Sequence, residues 1–142
     1  MEVGVMEKST NSMNNKKKDS NTEKDKKVLQ LEKQVSYGLW IQVIGQIIEL
    51  KGLSELLQIK EDTNTIGEEQ IVNGVLIRTI GQLLEAISVS NQIRETDKMR
   101  LIEEQKVAIA GDSLVAIGSV LEILGGLLVL EEETGKISFL VP

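Results

Sequence analysis

An all-α protein is what this sequence predicts, with three long helices built from a threefold repeat, folded as an antiparallel up-down-up bundle behind a disordered N-terminal arm. Three observations predict it. The phrase Gly-x6-Gly-x3-Glu is written three times, at Gly38, Gly45 and Glu49, at Gly74, Gly81 and Glu85, and at Gly111, Gly118 and Glu122. The apolar residues around each copy follow a helical period. Short polar segments with capping residues separate the copies, and connections of about five residues are typical of antiparallel helical hairpins.

The period is read by giving each repeat glycine the heptad letter a. Positions c, g and d then hold Trp40, Ile47, Tyr37, Ile44, Ile41 and Ile48 in the first copy, Leu76, Leu83, Ile80, Ile87, Ile77 and Leu84 in the second, and Val120, Leu127, Ile117, Leu124, Leu114 and Leu121 in the third. At about 100° per residue these letters and a make one continuous apolar arc, the face a bundle helix buries. Positions b and e gather Gln42, Gln46, Arg78, Gln82 and all three repeat glutamates, a polar edge expected in water.

In chain order, residues 1–24 are polar, rich in Asn, Ser and Lys, and without an apolar period. Such a tract buries too little to offset its ordering entropy, so it reads as a disordered arm. Val28, Leu31 and Val35 open a stripe that places the first helix near 24–60. After a linker at Lys60–Asn64, the sequence Thr65-Ile-Gly-Glu68 has the form of a capping box and starts a second helix near 65–93. Arg94–Lys98, with Thr96 or Asp97 as N-cap, precedes a third helix near 97–132. Gly135 is suited to a left-handed cap, and 134–142 form a C-terminal tail whose apolar residues either dock on the bundle or pair elsewhere. The repeat domain proper is thus 25–133.

Glycine inside a helix costs about 1 kcal/mol relative to Ala, so the repeat needs a compensating contact. Gly38, Gly45 and Gly52 are seven apart, as are Gly74, Gly81 and Ser88, and Gly111, Gly118 and Gly125. Seven residues return to nearly the same face, making a groove of small residues into which another helix presses. That helix is a neighbour in the same bundle, another copy of the protein, or a lipid-facing partner. The third helix is also apolar at Val115, Ile123, Val129 and Leu130, beyond what one buried face accounts for, which points to self-association through those residues.

A first turn centred near residue 63 makes facing residues of the first two helices sum to about 126, so Glu49 lies level with Arg78. A guanidinium accepts such a carboxylate in bidentate fashion, and an ion pair between Glu49 and Arg78 follows. The up-down-up order also gathers Glu61, Asp62, Glu68, Glu69 and Glu131–Glu133 at one acidic pole.

Composition excludes more functions than it suggests. The chain has no Cys and no His, which removes disulfides, thiolate nucleophiles, imidazole bases and the usual zinc ligands. The repeat glutamates lack the Glu-x-x-His pairs of carboxylate-metal bundles, so no catalytic, cofactor or metal residue is expected. One Trp, one Tyr and one Phe leave no aromatic-lined substrate pocket. Of the net charge of −6, residues 35–142 carry −8, and an acidic repeat region does not favour nucleic acid. The first thirty residues hold no apolar run of signal-peptide length, which argues for the cytoplasm. Val107–Leu130 carries 13 Ile, Leu or Val residues in 24, but Asp112 and Glu122 offset much of the insertion free energy. Membrane association or pore formation through the third helix is therefore the alternative to a soluble protein.

The phrases WIQVIGQIIE, LIRTIGQLLE and LVAIGSVLE resemble the Ile-Gly-centred repeats of uncharacterised repetitive proteins from Bacillus-type bacteria. The likeness covers about residues 35–130, and it implies no activity to transfer. The function expected is that of a non-enzymatic, self-associating helical-repeat protein, structural or scaffolding in role, with copies of itself as partner.

Overall fold

The structure, a computed structural model, describes residues 3–60 and 65–134, with side chains from residue 9 onward. The chain divides into two units, residues 1–35 and residues 36–142. Its three helices are α1 (Val3–Ile59), α2 (Ile66–Gln92) and α3 (Lys98–Thr134), and no strand occurs among the described residues. The linker acids Glu61 and Asp62, the cap at Gly135 and the tail to Pro142 lie outside the described residues.

In the first unit the structure departs from the expected disordered arm, because α1 begins at Val3 rather than near residue 24. Between Gly4 and Gly38 there is neither Gly nor Pro, and residues 16–34 are mostly Lys, Glu, Gln and Leu, all strong helix formers. Glu23 precedes Lys27 by four residues, the favourable order for an i,i+4 pair. Residues 9–28 are exposed throughout, so this helix rests on local propensity and not on burial.

The second unit is organised by its caps and its glycines. Thr65 caps α2 reciprocally: Glu68 N donates to Thr65 Oγ1 and Thr65 N donates to Glu68 Oε2, each at 3.2 Å. That hydrogen bond to the Thr65 backbone, ahead of the nearby Lys60, lowers the Glu68 carboxyl from its ordinary range. Arg94 ends the second helix with a left-handed φ of 67°, and Asp97 caps α3 by accepting from Arg100 N at 2.9 Å.

Helices α2 and α3 pack glycine on glycine. A Cβ on Gly67 would lie 2.6 Å from the Gly125 carbonyl oxygen, one on Gly74 2.7 Å from that of Gly118, and one on Gly81 2.5 Å from that of Gly111. The reverse contacts hold at Gly111, Gly118 and Gly125. In every pair the two numbers add to 192, so the helices run in opposite directions and keep one register over three levels.

Between α1 and α2 the contact is made by side chains. Ser90 Oγ, whose own hydrogen goes to the Ala86 carbonyl, accepts from Ser36 Oγ at 2.8 Å and Trp40 Nε1 at 3.0 Å. Leu39 and Val43 pack with Ala86 and Val89 below it. Lys60 meets Glu68 at 3.3 Å at the far end. The numbers on α1 rise as those on α2 fall, in pairs adding to between 124 and 130.

The buried face is not the apolar arc expected above. On α1 the buried residues Ser36, Leu39 and Val43 are letters f and b, while Tyr37, Ile41, Ile44 and Ile48 stay exposed. On α2 the buried set is Gly67, Gly74, Val75, Thr79, Gly81, Gln82, Ala86 and Ser88, while Leu76, Ile80, Leu83 and Ile87 at c and g are exposed. Geometry explains the reversal. On a helical wheel e, b and f follow a at about 40°, 100° and 140°, so α2, with a against α3 and with b and f against α1, buries that side and leaves c and g outward.

Candidate functional site

Two features stand out as the sites where this fold concentrates chemistry and contact: the node around Arg78, and the glycine faces.

Arg78 lies at letter e of α2, one turn after Gly74. Its Nη2 donates to Glu49 Oε2 of α1 at 2.7 Å and its Nε donates to Gln46 Oε1 at 3.0 Å. Across the other side Nε is 3.1 Å from Glu122 Oε1 of α3. The single Nε hydrogen is directed at Gln46, so the Glu122 oxygen, which is buried, has charge nearby but no hydrogen bond. Burial therefore pushes the Glu122 carboxyl up, assisted by Glu49 and opposed by Arg78. One guanidinium thus holds two of the three repeat glutamates, Glu49 and Glu122.

The third, Glu85, sits beside the Gly81–Gly111 contact and accepts from Gln82 Nε2 at 3.0 Å. Burial raises its carboxyl first, and the charge and hydrogen bond of Asp112 raise it further. For both Glu85 and Glu122 folding shifts the equilibrium toward the protonated form relative to the unfolded chain. Their destabilisation is fully present above the folded-state value and disappears as pH falls toward the ordinary value of 4.5. The two carboxyls therefore contribute a rise in melting temperature as pH is lowered from neutral toward 4.5, and that rise should be missing from the double variant Glu85→Gln/Glu122→Gln. A double variant with the same pH dependence as the wild type contradicts the assignment.

The glycines divide into two sets. Gly74, Gly81, Gly111, Gly118 and Gly125 are locked in the α2–α3 contact, joined by Gly67, which the sequence reading used only as part of a cap. Its signal was available, because it lies seven residues before Gly74. Ser88 continues the column as a fully buried residue whose Oγ has no hydrogen-bond partner. Gly38, Gly45 and Gly52, expected to seat a neighbouring helix, have no atom within 4 Å of a built Cβ. The reason is the reversal already described: α1 meets α2 through f and b, which turns its a column outward.

The residues expected to carry self-association also divide. Val115 N would lie 2.8 Å from a Cβ on Gly81 and Val129 N 2.7 Å from one on Gly67, so both belong to the α2–α3 contact and not to a free surface. Ile123 and Leu130 are exposed.

No known protein family, curated protein or solved structure matches this chain. Among the described residues no group of His, Cys, Asp and Glu is placed to hold a metal ion. A pocket of about 100 Å³ lies between the end of α1 and the start of α2, lined by Leu53, Leu56, Leu57, Ile71 and Val72 and by Lys60 and Glu68, which pair with each other at 3.3 Å. It is below the roughly 300–1,000 Å³ of a small-molecule site. What the arrangement does supply is surface: helices that bury glycine and hydroxyl groups and present Ile, Leu and Val outward.

Proposed function

We propose that the chain is a non-enzymatic, self-associating helical-repeat protein with a structural or scaffolding role, its three repeats arranged up-down-up and its partners further copies of itself. One observation carries the reading. The buried set is small and mixed, Leu39, Val43, Val75 and Ala86 with Ser36, Thr79, Gln82 and Ser88, while Ile41, Ile48, Ile117 and Ile123 are more than half exposed. Exposed apolar side chains in that number mark a contact face. In this reading the protein works in the cytoplasm.

The expected result is a mass above that of one chain by sedimentation or light scattering at micromolar concentration, falling on dilution. A single-chain mass at every concentration contradicts it.

A second reading is favoured by a specific observation: α2 and α3 are each long and apolar enough to cross a membrane. Their charged groups Arg78, Glu85 and Glu122 lie along the seam between them, and the exposed Asp112 beside Glu85 is the further charge that lipid would have to accommodate. Cell fractionation separates the readings, since retention in the membrane pellet after carbonate washing supports insertion and release supports the soluble assembly.

A further inference from the structure

We infer that the pocket between the end of α1 and the start of α2 is the seat of the chain's own C-terminal tail, residues 135–142 running back along α3 so that Phe139 enters it. This concerns one chain folding on itself, and it stands or falls apart from the self-association reading.

The first observation is the size and position of the pocket. At about 100 Å³ it is too small for a substrate, but an apolar cavity of about 150 Å³ takes up benzene, so this open cleft suits one aromatic side chain. Its apolar wall includes Leu53, Leu56, Ile71 and Val72, and Leu56 is still 54% exposed. Leu56 and Ile71 are both at letter e, like Glu49, Arg78 and Glu122, which meet where the three helices converge. Ile71 Cγ1 lies 2.8 Å from a Cβ built on Gly125, which sets the pocket beside α3. On that same side α3 has Gly126, whose built Cβ meets nothing within 4 Å, and the exposed Ile123 and Leu130. They mark an apolar path from the end of α3 to the pocket.

The second observation is the length and pattern of the sequence after α3. Residues 135–142 follow Thr134 and lie outside the described residues, and among them Ile137, Phe139 and Val141 alternate with Lys136, Ser138 and Leu140. An extended segment of that pattern turns Ile137, Phe139 and Val141 to one face. Five extended residues span about 17 Å, as do about eleven residues of helix, so a tail that reverses after Thr134 brings Phe139 near the level of Ile123. The register of α2 and α3 sets residues 120–124 opposite Glu68–Val72, the α2 wall of the pocket. Length and pocket therefore agree, and Phe139 is the one phenylalanine in the chain. A side chain on so short a tether also acts at an effective concentration on the order of millimolar, an advantage over any free ligand of the same size.

Cysteine pairing tests the seat directly, since the chain has no cysteine of its own. Full-length Leu56→Cys/Phe139→Cys, oxidised in dilute solution, should close a disulfide within one chain about tenfold faster, or more, than Leu124→Cys/Phe139→Cys. Leu124 is the control because it is exposed at the same level of α3 but at letter g, away from the pocket. Equal rates for the two pairs mean that the tail has no seat and overturn the inference. A disulfide that joins two chains puts the tail on another copy and overturns it as well, and so does the absence of any disulfide. None of these outcomes bears on the mass by sedimentation, which tests self-association separately. As a second measurement, Phe139→Ala should lower the melting temperature by about 5 °C, and Leu140→Ala, on the other face of the tail, by less than half as much. An unchanged midpoint in Phe139→Ala also overturns the inference.

Discussion

Gly118→Ala is expected to destabilise the fold by about 2 kcal/mol or more, and Gly45→Ala to stabilise the isolated chain by up to about 1 kcal/mol. The substitutions are chemically identical and occupy the same letter of the repeat, so propensity alone predicts a gain from both. At Gly118 the new methyl group would lie 2.5 Å from the Gly74 carbonyl oxygen and 2.7 Å from Arg78 N. Those are backbone atoms, which no rotamer change can move aside, so α2 and α3 must separate along their whole seam. At Gly45 the methyl group meets nothing within 4 Å. Thermal unfolding measured dilute enough to keep copies apart should show a drop on the order of 10 °C for the first variant and a small rise for the second. A gain at Gly118 would contradict the close packing of α2 and α3.

Arg78→Met should cost about 2–3 kcal/mol, because it leaves Glu122 with a buried oxygen and neither a cation nor a hydrogen bond. Glu49→Gln should cost at most about 1 kcal/mol, since that carboxylate is 44% exposed and water replaces part of what it loses. The double variant Arg78→Met/Glu122→Gln is expected to recover much of the loss, which distinguishes a stranded charge from lost packing of the arginine stem. The pH dependence should steepen in Arg78→Met, because Arg78 is what holds the Glu122 carboxyl down against burial. Denaturant unfolding at pH 7 measures all four chains. Equal losses for Glu49→Gln and Arg78→Met would place the energy of the node in the exposed pair instead.

Much of this was legible before any coordinates, for reasons that can be located. Helical period, the capping box at Thr65 and the cap at Asp97 are local, written within four residues of sequence, and the second and third helices follow from them. The level of Glu49 with Arg78 followed from the length of one linker. Helix rotation could not be read the same way. Hydrophobic patterning points to c, g and d, but the backbone contact between the glycines of α2 and α3 overrides it there and brings their e residues to the seam, while α1 meets α2 through f and b, beside which Gln46 lies. Hence Glu122 and Gln46, both at the polar edge, were missed as partners of Arg78, although Glu122 shares its column with Glu49. The arm before residue 24 went unread for the opposite reason: its Asn and Ser suggested disorder, whereas the uninterrupted run without Gly or Pro favours helix.

The constant sum of 192 across α2 and α3 has a further consequence for how such a chain can change in length. An insertion of one residue between Gly67 and Gly81 of α2, or between Gly111 and Gly125 of α3, turns every later glycine by about 100° and removes it from the seam, whereas the turn at 93–97 absorbs it. Seven residues, by contrast, add one level to the column and restore the face. For that level to be closed, α3 must gain seven as well, at the matching place. The hairpin can therefore grow or shrink only in paired steps of about 10 Å, which makes its length a counted quantity and not a continuous one.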